Sequence, residues 1–100
     1  MSYNTEYPQI FEPVQGQIYN NKNGIRYLCT SIEHDKYGRY TRQAEFVSSS
    51  GWHLTADCPR QYKDGHIEWD SSYQGHFIEL ADAKEMFTQA EKEKENSYEN

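Results

Sequence analysis

The 100-residue chain lacks the patterns that mark export, membrane insertion or a common cofactor site. No charged segment followed by an apolar stretch opens it, so we expect no secretory signal, reduced thiols and a cytoplasmic location. No apolar run approaches the roughly 18 residues that a membrane helix needs. The six glycines fit turns and form neither a phosphate-binding loop nor a dinucleotide fingerprint, so no cofactor is expected.

Basic residues are also scarce. Ten Lys and Arg stand against sixteen acids, which gives a net charge of −6. Because phosphate backbones attract basic proteins, this balance disfavours direct nucleic-acid binding. The acids are concentrated at the C-terminal end, where seven acids and three lysines follow residue 78. Much of the negative charge therefore belongs to one C-terminal element.

Aromatic residues, by contrast, make up 15% of the chain, and nine of them are tyrosines. The core of this single domain is therefore expected to be built largely from rings. The pair Asp64-Gly65 predicts a β-hairpin with a type I′ turn, in which both residues take positive φ. Ile67 and Trp69 follow the turn on one strand face, and Glu68 and Asp70 lie on the other.

Short strands at a spacing of about eight to twelve residues predict an antiparallel barrel or small sandwich. In the segment 25–32, Leu28 and Ile32 share one face and Cys29 lies on the other, so both faces are expected to be covered. Near residue 80 the period becomes helical. The apolar stripe of this helix is Leu80, Ala83, Phe87 and Ala90, with Met86 beside it.

These patterns predict an α+β domain: a small bent antiparallel β-sheet or SH3-like barrel of five to six strands, with one C-terminal α-helix packed on it. Its parts are an extended N-terminal arm (1–15), a β-domain (16–78), the helix (79–94) and a frayed tail (95–100). Trp52 and Trp69, on neighbouring strands, are both expected to be largely buried.

Three histidines lie near an aspartate and a cysteine in the middle of the chain: His53, His66, His76, Asp57 and Cys58. Zinc ligands usually come in pairs that are about two to five residues apart. The histidines here are separated by thirteen and ten residues. We therefore expect surface or hydrogen-bonded histidines and no metal site.

Two catalytic arrangements are conceivable from the sequence. Cys58 could act as a nucleophile with His53 and Asp57, but the proline that follows Cys58 predicts an extended loop rather than an activating helix N-terminus. Glu68 and Asp70 are spaced like a glycosidase carboxylate pair, although two acids on a hairpin are more typical of a solvated edge. We therefore predict a non-enzyme and keep a small hydrolase only as the third alternative.

Two motifs carry a resemblance to a known group of proteins. They read Gly16-x-x-Tyr19-x-Asn21-x-x-Gly24-x-x-Tyr27, and Ser50-Gly51-Trp52-x-x-x-Ala56 followed by Tyr62-x-Asp64-Gly65-x-Ile67-Glu68-Trp69-Asp70-x-Ser72-x-x-Gly75-His76-Phe77. Both resemble small proteins encoded by phages and prophages of Gram-positive and gut bacteria. The resemblance implies an accessory gene of a mobile element and carries over no activity. Those proteins often have His-Gly at the positions of Asp57 and Cys58, so it implies nothing for these two residues.

The expected function is binding and inhibition of a host protein with a basic surface, in the cytoplasm of the host bacterium, with an anti-CRISPR or other anti-defence factor as the concrete version. Acids on an exposed helix can imitate a phosphate backbone and dock in a basic groove. The alternative is a nucleic-acid-associated accessory protein that uses aromatic stacking. The sequence gives no indication of the oligomeric state. The expected partner-binding residues are Glu68, Asp70, Tyr73, Asp82, Glu85, Glu91 and Glu93.

Overall fold

The computed structural model describes residues 8–98, with side chains as far as residue 93. Its elements are β1 (Gln9–Ile10), β2 (Ile18–Asn20), β3 (Arg26–His34), β4 (Tyr40–Ser48), β5 (Trp52–Asp57), β6 (Arg60–Gln61), β7 (Ile67–Glu68), β8 (Ser71–Phe77) and α1 (Leu80–Tyr98). Residues 1–7 of the predicted arm and 99–100 of the predicted tail lie outside the described residues. The helix begins one residue after the predicted start and continues beyond residue 94.

The strands pair antiparallel and form two sheets. Five strands lie in the order β2-β3-β4-β5-β8, and a smaller sheet has the order β1-β6-β7. The predicted α+β class, with antiparallel strands and one C-terminal helix, is confirmed, although the strands are divided between two sheets. The SH3-like barrel is not confirmed, because among the described strands β2 and β8 each have a single neighbour and the larger sheet stays open.

The five-stranded sheet is covered on both faces. On one face, the buried Phe46 packs in a cluster with Ile67 of the small sheet. On the other, Leu28 and Val47 pack against Phe87 of α1. Successive side chains along a strand alternate between faces, so neighbouring residues of β3 and β4 serve opposite layers. The expectation that the segment 25–32 is covered on both sides is confirmed.

A bulge in β3 changes which side chains face which layer. Cys29 pairs with Phe46, whereas Ser31 pairs with Glu45, so one extra residue is inserted on β3. The insertion reverses the alternation beyond it. Ile32 therefore packs against the cluster that contains Cys29, and the prediction that Ile32 shares a face with Leu28 is wrong.

The predicted hairpin is present, but its turn is of another type. Tyr62 N donates to His66 O at 2.9 Å, which closes a three-residue loop instead of a two-residue one. Within the loop, Gly65 has a φ of 94°, while Asp64 does not have a positive φ. The type I′ prediction is wrong, because a single left-handed residue is enough to close a three-residue loop.

Both tryptophans are buried over most of their surface, as predicted, but neither is fully buried. Trp69 stacks on Phe46 with ring centroids 5.4 Å apart, and Trp52 meets Phe77 edge to face at 4.7 Å. Both rings pack against the core cluster between the sheets. They nevertheless line a cleft at its margin, which leaves part of each ring exposed.

Candidate functional site: an acidic groove beside the C-terminal helix

The C-terminal helix has one packed face and one acidic flank. Ala83, Phe87 and Ala90 are buried as the apolar stripe predicts. Leu80, which was predicted on the same stripe, is 49% exposed, so the packed part begins at Ala83. Asp82 lies in the first turn, where a carboxylate interacts favourably with the helix dipole.

Four polar residues of α1 recur at intervals of three or four positions and therefore lie along one side of the helix: Asp82, Glu85, Gln89 and Glu93. They border a groove of about 440 Å³ that we call the acidic groove. Its lining is Gly16, Leu28, Asp82, Glu85, Met86, Gln89, Ala90 and Glu93. Leu28 and Ala90 are buried and Met86 is half-buried, so an apolar floor lies between carboxylates.

The far wall of the acidic groove is a tight turn before β2. Gly16 has a φ of 89°, which favours glycine, and its N–H donates to Cys29 O at 2.8 Å. An ideal Cβ at Gly16 would lie 3.9 Å from Glu93 Oε2, so the Glu93 carboxylate lies close to this turn. The turn fixes one wall of the groove opposite the helix.

The groove carboxylates are not neutralised within the described part of the chain. Asp82, Glu85 and Glu93 form no hydrogen bond or ion pair with another described side chain. Glu91 lies on α1 outside the groove lining and, unlike these three acids, forms an ion pair. Its Oε2 lies 3.2 Å from Arg26 Nη2, and the Arg26 guanidinium also lies over the Phe87 ring. Three of the four predicted helix acids thus line one groove, and the fourth is paired outside it.

The other predicted partner-binding residues lie elsewhere. Glu68 is half-buried on β7, and Asp70, just after β7, forms an ion pair with Arg60. Tyr73 lies on the edge strand β8 and is 38% exposed. The structure therefore does not bring all seven predicted residues to one surface.

A histidine between two carboxylates holds the hairpin on the opposite side of the molecule. His66 Nε2 donates to Glu68 Oε2 at 3.0 Å, and His66 Nδ1 contacts Asp64 Oδ1. The hydrogen bonds to Glu68 and then Asp64 raise the pKa of His66. The pKa of Asp64 is lowered, first by the His66 backbone N–H and then by its side chain. Glu68 is thereby held in place and is not a free carboxylate.

The histidines and Cys58, which were considered for catalysis or metal binding, have the following surroundings. His53 Nε2 lies 3.3 Å from Glu45 Oε1, and its ring centroid lies 4.9 Å from that of His76. Among the side chains of residues 8–93, no group of three or more His, Cys, Asp or Glu is arranged to hold a metal ion. Cys58 has a φ of 56°, so the predicted extended conformation is wrong; its N–H donates to Arg42 O at 2.7 Å, and this bond fixes the turn.

The sequence did not predict that these residues line one groove. Gln89 could have been found, because it shares the spacing of the neighbouring acids. Gly16 and Leu28 are more than fifty residues away in sequence from α1, and only the fold brings them there.

No protein-family model, no curated protein and no solved structure matches this chain. In the part of the chain that the structure describes, no helix is long and apolar enough to cross a membrane.

Proposed function

We propose that this protein is a non-catalytic accessory protein of a phage or mobile element that binds a basic surface of a host protein and inhibits it. The observation that carries the proposal is the acidic groove, in which three carboxylates without an ion pair to any described side chain flank an apolar floor. The resemblance of the sequence to phage- and prophage-encoded proteins supplies the biological setting, which is the cytoplasm of a bacterial host.

The chemistry of the groove favours a lysine- or arginine-rich segment as its occupant. The methylene stems of Lys and Arg pack on apolar surface while their charged ends remain near carboxylates. Leu28, Met86 and Ala90 provide such a surface beside Glu85 and Glu93. The same carboxylates repel phosphates, so this groove favours a basic protein over a nucleic acid.

The test uses the whole protein as bait in lysate of a bacterial host, with two matched variants. The groove variant is Glu85→Gln with Glu93→Gln, and the control variant is Glu12→Gln with Glu33→Gln, which replaces two exposed acids outside the groove. Both variants change the net charge equally. We expect basic proteins to be captured by the wild type and the control and to be lost with the groove variant. Equal capture by all three baits would remove the groove from the interface.

Binding kinetics with a purified captured protein then distinguish residues that speed association from residues that slow dissociation. Charge complementarity acts mainly on the association rate and is screened over about 8 Å at physiological salt. The groove variant should therefore associate more slowly, and its association rate should depend less on salt. Tyr73→Ala, on the exposed edge strand, should mainly speed dissociation if this ring is an anchor. An unchanged dissociation rate would exclude Tyr73 from the interface.

Inhibition of a host defence is tested in cells. Expression of the protein in a bacterium that carries a CRISPR system should restore plaque formation by a targeted phage, and the groove variant should restore it less. The same strain without the CRISPR system provides the control for phage fitness. Plaque numbers that do not change on expression would contradict the anti-CRISPR version, while capture of a basic host protein would still support binding.

A further inference from the structure

A second concave site lies on the other face of the five-stranded sheet and contains both tryptophans. This aromatic cleft has a volume of about 370 Å³. It is lined by Asn21, Lys22, Asn23, Tyr27, Trp52, Leu54, Glu68, Trp69 and Ser72. Three aromatic rings therefore meet one carboxylate in a space that lies within the size range of small-ligand sites.

Contacts with neighbouring residues hold the rings of the aromatic cleft in place. The Trp52 ring lies so close to Gly75 that an ideal Cβ there would be 2.2 Å from Cζ2. Trp69 stacks on the buried Phe46 with an interplanar angle of 20°. Tyr27 meets Trp69 at 84°, with centroids 5.0 Å apart. A site whose walls are fixed before binding loses little conformational entropy on binding.

Three polar residues of the aromatic cleft already use side-chain atoms in hydrogen bonds within the protein. Asn21 Nδ2 donates to Ile67 O at 3.2 Å, and Asn21 Oδ1 accepts the Asn23 N–H at 3.4 Å. Asn23 Oδ1 accepts from Ile25 N at 3.1 Å, and Glu68 accepts from His66. The lining offers a ligand ring surface and a carboxylate, next to the polar side chains of Lys22, Asn23 and Ser72.

We propose that the aromatic cleft binds a quaternary ammonium group, either of free choline or of a trimethylated lysine. Such a cation has no N–H donor to satisfy and is attracted to aromatic faces. Glu68 shares His66 with Asp64, so two carboxylates face one histidine and a net negative charge remains beside the cleft as a fixed counter-charge. Lys22 also lines the cleft and lies on an exposed turn, so solvent can screen its charge. The proposal is independent of the acidic groove.

The test compares two ligands of the same shape and different charge. Choline chloride and the uncharged 3,3-dimethylbutan-1-ol are titrated into the full chain, with sodium chloride matching the ionic strength. Binding is followed by tryptophan fluorescence and by the NMR shifts of the two indole N–H groups. Choline should cause saturable changes at both indoles, and the uncharged compound should bind roughly tenfold more weakly or not at all. Trimethyllysine against lysine forms the second pair and distinguishes the two sources.

A Glu68 variant tests the contribution of the carboxylate to binding. Glu68→Gln should weaken choline binding by about tenfold, while Glu79→Gln, an exposed acid outside the cleft, should leave it unchanged. Because the ligand pair needs no mutation, the proposal stays testable even if Glu68→Gln unfolds the hairpin. Equal binding of choline and its uncharged analogue, or no saturable change with any quaternary ammonium, would overturn it. Saturable indole changes with a single-stranded oligonucleotide and none with choline would overturn it in favour of base stacking.

Discussion

Gly75 is the position where one added methyl group should disturb the core most directly. An ideal Cβ at Gly75 would lie 2.2 Å from Trp52 Cζ2 and 2.9 Å from Cε2 and Cη2, whereas ordinary contacts lie at 3.4–4 Å. Trp52 packs against Phe77 and the core cluster, so the ring has little room to move. Overpacking of this kind costs about 1–3 kcal/mol. β8 is an edge strand and can move outward, which keeps the expected loss within that range.

Gly75→Ala should therefore lower the melting temperature by about 4–8 °C for each kcal/mol lost. The loss is measured by urea unfolding, followed by tryptophan fluorescence and circular dichroism. Ser71→Ala, at an exposed position of the same strand, is the control and should be nearly neutral. In a Trp52→Leu background the clash partner is absent, so Gly75→Ala should cost little, with a coupling energy of about 1–2 kcal/mol. Equal losses in both backgrounds would refute this account.

Three further outcomes are expected. Trp69→Ala should cost about 3 kcal/mol, the lower end for such a truncation because the ring is half-buried, and a melt within a few degrees of the wild type would contradict the hairpin packing. Cys29 and Cys58 are free thiols; burial raises the pKa of Cys29 to about 11, so Cys58 should be alkylated first under native conditions, and equal rates by mass spectrometry would contradict this. The raised pKa of His66 means that its stabilising contribution is present below its ordinary value of 6.5 and is lost as pH rises through the folded-state pKa. His66→Gln should remove that pH dependence, and an unchanged profile of unfolding free energy against pH would exclude the histidine as its source.

Much of the architecture could be predicted because it rests on periodicity. The change from strand to helix near residue 80 follows from the spacing of Ala83, Phe87 and Ala90, which the fold buries. The second sheet could not be predicted, because β1, β6 and β7 are two residues long and too short to show alternation. The bulge in β3 was also unpredictable, since an inserted residue leaves no compositional mark while moving Ile32 to the opposite layer.

The site was predictable only in part, for a related reason. Helical spacing placed Asp82, Glu85 and Glu93 together, because residues three or four positions apart share a helix face. The pairing of Glu91 with Arg26 depends on how α1 crosses β3, and no local pattern encodes it. Glu68 was expected on a solvated face, yet the structure places it beside Trp69 and His66 in the aromatic cleft.

The layered fold also determines how the two proposed sites relate to each other. Tyr27 lines the aromatic cleft and Leu28 lines the acidic groove, although they are consecutive residues of β3. Because consecutive strand residues face opposite sides of a sheet, the two sites lie on opposite faces of the five-stranded sheet. A ligand small enough for the cleft cannot contact the groove from there, and a basic segment in the groove does not reach the rings. Loss of binding in Glu68→Gln and loss in the groove variant therefore report on separate surfaces, so either proposal can fail while the other stands.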